Sequence, residues 1–281
     1  MFLPSSHFYL NIKMSKINTQ QQKQSLLYLG TERTLFLGEL DNQLEIAKAA
    51  SVLILSTDKP ITLIDQKNDI TYHERSFLVP AGMNATIKTK GSVVALGILD
   101  FLGIDLETII PRMKNTITID QKTILYSRIS NETYAIEMAH SIFRMHPTAA
   151  IAFEQFKALI GPQTTNTTAD ERVTKAATLI RSNIGKGLGV EKIAKEVNLS
   201  APRLAQLFKQ ITGISIRRFT LWHRINIAAL SCAQGATMTE AAIEAGFADY
   251  AHFSRTFSEM GGLKPSDMLS PRKNVCFKVL T

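Results

Sequence analysis

The chain has 281 residues, 45% of them hydrophobic and 20% charged; that is the make-up of a globular protein of about two domains at ~100–200 residues each. Two cysteines, Cys232 and Cys276, exclude a disulfide framework, and no Cys/His cluster points to zinc. The net charge of +8 is uneven: residues 1–169 hold 16 Lys+Arg against 15 Asp+Glu (+1), and residues 170–281 hold 16 against 9 (+7), so one half of the chain is built to meet a polyanion.

The N-terminal MFLPSSHFYLNIK lacks the basic start and apolar stretch of a signal peptide. No apolar run approaches the ~20 residues that span a bilayer. We expect a cytoplasmic, reducing location and no membrane partner. Met14 stands as an alternative start, and residues 1–24 are expected to be disordered.

Residues 25–160 form the first expected domain. Its LLYL, TLFLGEL, LEIAKA, VLILS, ITLID, SFLV, ATIKT and VVALGILDF are short β-branched or aromatic runs. Turn formers (DN, TDKP, QKND, PAGMN, KGS) separate them, and eight closely spaced strands predict a sandwich or small barrel. Residues 104–160 change character. Ile136, Ala139, Ile142 and Phe143 keep helical spacing, as do Ile151, Phe156, Leu159 and Ile160, with Thr148 placed to cap the second helix. Core packing and pairing with a second copy both explain these two stripes.

Residues 161–169 (GPQTTNTTA) read as a linker, 170–272 as a helical domain and 273–281 as a tail. The helical domain opens on Asp170 and Glu171, and Val173, Ala176, Ala177, Ile180 and Ile184 form its first apolar stripe. An internal repeat follows. Ala194 matches Ala242 and Leu199 matches Phe247, 48 residues on; Phe208 matches Phe257 and Gly213 matches Gly262, 49 residues on. The second copy therefore carries one extra residue in its turn.

Each copy reads as a short helix, a tight turn and a second helix, the helix-turn-helix pattern whose second helix enters a DNA major groove. At ~100° per residue the first recognition helix turns Pro202, Gln206 and Lys209 outward, flanked by Arg203, Ala205 and Gln210. The second turns out Ala251, Arg255 and Ser258, flanked by Tyr250, His252 and Ser254. Arg reads guanine and Gln reads adenine bidentately. The candidate DNA-contacting residues are Arg203, Gln206, Lys209, Arg217, Tyr250, His252, Ser254 and Arg255. Ile216 to Gln234 reads as one joining helix of roughly 28 Å. That length is near the ~34 Å between successive major-groove faces of B-DNA.

IAKEVNLSAPRLAQLFKQITG, Arg224 followed by Ala228, AxxAGFxDxxxFSRxF over 242–257 and the closing GLKP resemble the AraC/XylS transcriptional regulators over residues 170–272. The resemblance implies two helix-turn-helix motifs joined by a helix, transcription activation, RNA polymerase as a partner and, often, small-molecule control. The chain departs from that family at Ser258-Glu259, where a basic pair is usual. Pro202, Ala205 and Ala251 also bring few hydrogen-bonding groups to the reading faces.

ITYHERSFLVPAGMNATIKTKG, with Pro80 and Gly82, resembles a cupin turn, but Asn84 and Ala85 stand where cupin enzymes place a metal-binding His, and His73 stands alone. The expected fold is therefore α+β in two domains: a cupin-like β-barrel followed by helices, then an all-α domain with two helix-turn-helix motifs. No metal, cofactor or catalytic residue is expected. The expected function is a sequence-specific DNA-binding activator controlled by its N-terminal domain, with double-stranded DNA, a small-molecule effector and a second copy of the chain as partners. A cupin-like binding or enzymatic module with a basic helical appendage is the alternative.

Overall fold

The computed structural model describes residues 24–30, 33–40, 43–46, 50–99, 104–121, 123–161, 170–184, 189–261, 264–269 and 275–280. The expected disordered stretch 1–24 and the linker 161–169 lie outside these, apart from Gln24 and Gly161.

Nine strands come first: β1 (Ser25–Leu29), β2 (Thr34–Glu39), β3 (Gln43–Ile46), β4 (Val52–Ser56), β5 (Ile61–Asp65), β6 (Ile70–Glu74), β7 (Ser76–Val79), β8 (Ala85–Lys88) and β9 (Val93–Ile98). Helix α1 (Ile104–Ile109), strands β10 (Met113–Thr118) and β11 (Ile124–Ile129), and helices α2 (Glu132–Met145) and α3 (Ala149–Ile160) complete this half. The helical half holds α4 (Glu171–Ser182), α5 (Val190–Glu196), α6 (Ala201–Thr212), α7 (Ile216–Ala233), α8 (Met238–Glu244), α9 (Tyr250–Gly261) and α10 (Pro265–Met268); strand β12 (Val275–Val279) ends the chain's described elements.

The strands form two sheets, one ordered β10-β11-β7-β4-β9-β2-β1-β12 and one ordered β3-β8-β5-β6. Side chains alternate along a strand, so each central strand of the large sheet serves two cores. Leu27, Leu29, Phe36, Val52, Ile54, Phe77 and Val79 meet Leu44, Ile61, Leu63 and Ile87 of the small sheet. Leu26, Tyr28, Leu35, Leu37, Leu53, Leu55 and Leu78 meet Ala139, Ile142, Phe153 and Phe156 of α2 and α3. Burial on both faces explains why these strands read as unbroken apolar runs rather than alternating ones. At Gly97 a Cβ would stand 2.8 Å from the Phe156 ring, so the missing side chain is what lets α3 lie close on β9.

Thr148 caps α3, its hydroxyl accepting from the Ile151 N–H at 3.5 Å. Ile142 and Phe156 are buried against the large sheet, so core packing accounts for these members of the two stripes, while Ile151 of the second stripe is exposed. Tyr134, Met145 and Ile151 are the large apolar side chains that α2 and α3 leave exposed.

Four strands were not expected. Among the described residues β6 is an exposed edge strand that pairs only with β5, and its ITYHE has too few apolar residues to stand out. β10 and β11 form a hairpin inside the segment read as helical. The assignment of 273–281 as a plain tail is corrected: β12 joins the large sheet, parallel to β1, in register from Ser25↔Val275 to Leu29↔Val279. A parallel neighbour needs a long crossover, and here the chain between β1 and β12 holds the rest of the β domain and the whole helical domain.

β12 covers the β1 edge with a full parallel ladder, and Leu280 N–H adds a bond to Leu29 O at 2.9 Å. Deleting residues 275–281 is expected to lower the melting temperature by roughly 4–8 °C, corresponding to about 2 kcal/mol at ~2–4 °C per kcal/mol. Differential scanning calorimetry checks this. Because the exposed edge then becomes a template for pairing, the truncated chain should also sediment as larger species.

Candidate nucleic-acid interface

The two helix-turn-helix units are closed by the same bond. In the first, Asn198 takes a left-handed φ of 55° and Leu199 N–H reaches Ala194 O at 2.9 Å. In the second, Gly246 takes φ 82° and Phe247 N–H reaches Ala242 O at 2.9 Å. Each following helix is then capped by a side chain: Ser200 Oγ accepts from Arg203 N–H at 3.4 Å, and Asp249 Oδ1 accepts from His252 N–H at 2.6 Å. Ala248 is the extra residue between the second turn and its cap. Thr237 and Glu240 form a reciprocal capping box that starts α8.

Helix α7 holds the two units together. Phe208 of α6 meets Phe219 of α7 edge-on at 5.2 Å, and Arg181 of α4 lies 5.8 Å over the same Phe219 ring. At the middle of α7, Arg224 Nη1 donates to Gly246 O at 2.9 Å, gripping the second turn. Phe253 packs edge-on against Phe247 (5.3 Å) and Phe257 (5.7 Å) to seat α9. The 18 residues of α7 span roughly 27 Å.

Opposite these cores lie the candidate reading faces. Pro202, Arg203, Ala205, Gln206, Lys209 and Gln210 are all exposed on α6, and Arg203 Nη1 donates to Gln206 Oε1 at 2.8 Å. The pair presents a joined donor and acceptor set rather than two independent arms. Arg217 is exposed in the first turn of α7, behind the Ser215 cap. On α9, Ala251 and Arg255 are exposed and Ser254 is half-buried. Among the described residues Arg255 has no ion-pair partner, Glu259 four residues on included.

Tyr250 and His252 sit differently from the other candidates. Tyr250 is half-buried with its ring tilted against Phe253 at 6.3 Å, and His252 stands edge-on to Phe247 at 5.3 Å. Both rings pack the start of α9 as well as bordering its outer face.

His223 of α7 is buried beside Phe219 at 4.5 Å. Desolvation, with the Arg181 guanidinium adding to it, holds its imidazole down to about 4. In the N-terminal half, His73 Nδ1 shares a 3.0 Å hydrogen bond with Thr62 Oγ1. Among the described residues no group of three or more His, Cys, Asp or Glu is placed to hold a metal ion. Burial raises the Cys232 thiol above its ordinary value, which leaves it a poor nucleophile.

Sequence reasoning missed the grip of Arg224 on Gly246 and the bond from Asn226 to Gly30. Both lie between residues distant in sequence, and only the placement of polar side chains on a mostly apolar helix hinted at them.

Residues 193–270 match a family described as a helix-turn-helix domain. Over 102 residues, 36% of this chain and 37% of that protein, the sequence is 29% identical to the Msm operon regulatory protein of Streptococcus mutans serotype c (strain ATCC 700610 / UA159). The chain thus matches little more than a third of that relative's length. The fold is similar to that of ToxT from Vibrio cholerae O395, with a TM-score of 0.55 at 14% identity over 85% of this chain and 96% of that one. Wild-type ToxT from Vibrio cholerae strain SCE256, with an unsaturated fatty acid bound, gives 0.53 at 14% identity over 86% and 96%. Residues 193–270 are therefore a helix-turn-helix domain. It follows a β-rich domain in a two-domain arrangement like that of ToxT.

The lowered His223 value makes a pH prediction. Below pH 6.5 the unfolded chain binds a proton at this residue that the folded chain refuses until about pH 4. The neutral, buried imidazole thus contributes its full stability above pH 6.5, and that share is lost as pH falls towards 4. The loss is up to about 3 kcal/mol at ~1.4 kcal/mol per pH unit. Urea melts of the wild type and His223→Gln at pH 7 and pH 4.5 should show a shallower pH dependence in the variant.

Proposed function

We propose that this protein is a sequence-specific DNA-binding transcription regulator, an activator whose DNA-binding domain is controlled by the N-terminal domain. The observation that carries the reading is the pair of exposed faces on α6 and α9, held in one unit by α7. The +7 charge of residues 170–281 supports it, because phosphate contacts by Lys and Arg release counterions. Arg203, Gln206, Lys209 and Arg255 are the groups best placed to reach base edges, and Arg217 to reach phosphate. Ser254 borders the α9 face, and Tyr250 and His252 flank it while packing its base.

On this reading the chain acts by binding rather than by catalysis, and RNA polymerase is its partner at the promoter. Its place is the cytoplasm; among the described residues no helix is long and apolar enough to cross a membrane. ToxT has been solved with an unsaturated fatty acid and with (E)-4-(8-methylnaphthalen-1-yl)but-3-enoic acid bound, which supports a small-molecule effector here too. A homodimer would use the exposed Tyr134, Met145 and Ile151 of α2 and α3 rather than the buried members of the two stripes.

Arg255→Ala in the full chain tests the site. A base contact at this position is worth about 1–3 kcal/mol and its loss relaxes preference at one base pair. A phosphate contact alone would weaken binding to all sequences alike and reduce the salt slope by about one. Binding isotherms on a selected duplex and on random duplex at two salt concentrations distinguish these. We expect loss of preference, and unchanged affinity for both duplexes would remove Arg255 from the interface.

A further inference from the structure

The large sheet ends at β12, and among the described residues no strand or backbone hydrogen bond occupies the far side of that strand. Leu280 N–H donates to Leu29 O of β1. Backbone groups alternate in direction along a strand, so those of Cys276 and Lys278 also face β1, and those of Val275, Phe277 and Val279 face away from it. Side chains alternate between the two faces of the sheet: Val275 and Phe277 pack on the core that holds α7, and Cys276 on the core that holds α3. Both faces of β12 are thus covered in part, while its outer edge is open. At the opposite end of the sheet, β10 (MKNTIT) carries lysine, asparagine and threonine, a polar make-up that keeps an edge unpaired; VCFKV has a single lysine.

The residues with outward backbone groups read Val-Phe-Val, the same in either direction. An antiparallel copy of the strand can therefore pair with it about a two-fold axis at Phe277, with Val275 opposite the partner's Val279 and Phe277 opposite the partner's Phe277. Each such pair exchanges two hydrogen bonds, about six in all, and no outward group of the strand is left over. The neighbouring registers are worse. Self-pairing about Lys278 would set two ammonium groups opposite each other, and self-pairing about Cys276 would leave Val279 without a partner inside the strand. In the Phe277 register each Lys278 stands instead opposite the partner's Cys276. Beside the edge, Leu280 is 41% exposed and shares a hollow with Ala150 and Phe153 of α3; Ile151, the next residue on that helix after Ala150, is 51% exposed. Apolar surface thus flanks the strand where a second copy would lie.

We propose that two copies of the chain join edge to edge through antiparallel β12 strands centred on Phe277, so that their large sheets run on as one. The proposal rests on the reading of a second copy as a partner, and it places the contact at a backbone edge rather than on the exposed side chains of α2 and α3 alone. Such a pairing is isologous and closes after two copies, because each copy has then used its β12 edge. Helix α7 packs against β12, so the same axis relates the two helical domains. A two-fold pair of recognition faces calls for inverted half-sites in the duplex.

Sedimentation velocity of the full-length protein over a dilution series should show a reversible monomer–dimer equilibrium. Val279→Pro removes an outward N–H and leaves the β1 ladder intact, because the Val279 backbone faces away from β1. Each dimer then loses two symmetry-related hydrogen bonds, and association should weaken by at least about tenfold. A second test does not depend on that variant folding. Lys278→Cys in a Cys232→Ser background sets a thiol opposite the partner's Cys276 in a non-hydrogen-bonded pair, whose Cα atoms stand ~4.5 Å apart, a span that a disulfide bridges. Mild oxidation should give a covalent dimer on a non-reducing gel, and adding Cys276→Ser should abolish it. No covalent dimer from Lys278→Cys, a covalent dimer that survives Cys276→Ser, or a sedimenting dimer untouched by Val279→Pro overturns the proposal. The last of these outcomes leaves the second-copy reading standing with another interface, whereas a wild type that stays monomeric throughout the series refutes both.

Discussion

The burial of α7 in two cores at once organises this molecule. Its Phe219 and His223 pack into the first helix-turn-helix unit, Arg224 grips the turn of the second, and Trp222, Ile225 and Asn226 face the β domain. A helix with one apolar stripe can serve one core; α7 has apolar or small residues round most of its circumference and serves more than one. The core of the sheets and the core of the helical domain are accordingly one continuous apolar cluster.

That coupling is reinforced at a second point. β12 returns from the end of the helical domain to pair with β1, and α7 packs over both strands. The helical domain is thus held to the sheet through side chains at α7 and through backbone at β12. The Asn226 bond to Gly30, at the end of β1, lies between the two attachments. Movement of α9 relative to the sheet would have to be accommodated at Phe257 or at this junction, because both turns of the helix-turn-helix units are closed by backbone bonds and side-chain caps.

Much of the candidate site was legible because its determinants are local. The turn residues Asn198 and Gly246, the caps Ser200 and Asp249, and the spacing of Leu204, Phe208, Phe253 and Phe257 all act within a few residues of one another. Outward positions follow from the buried ones by helix geometry alone, which is why Arg203, Gln206, Lys209 and Arg255 are found exposed. Tyr250 and His252 were harder to place. They lie at the edge of the stripe, and whether an aromatic at an edge turns inward depends on its neighbours, here Phe253 and Phe247. The same limit applies to α2 and α3, where amphipathic spacing required a covered face but not which surface covers it.

Taken by itself, the sequence determined the two-domain division, the β character of the first half, the tandem helix-turn-helix units and their exposed faces. Periodicity, caps and turn residues are properties of neighbouring positions, so these features need no knowledge of distant contacts. Tertiary structure decided the rest. The VCFKV segment became a strand only because β1 offers an unpaired edge, and MKNTIT and ILYSRI became a hairpin because β7 offers another. The bond from Asn226 to Gly30 exists only because α7 packs against the sheet. Contacts between residues some 200 positions apart leave no periodic trace in the chain, since the energy that selects them is burial shared between two surfaces and belongs to neither segment alone.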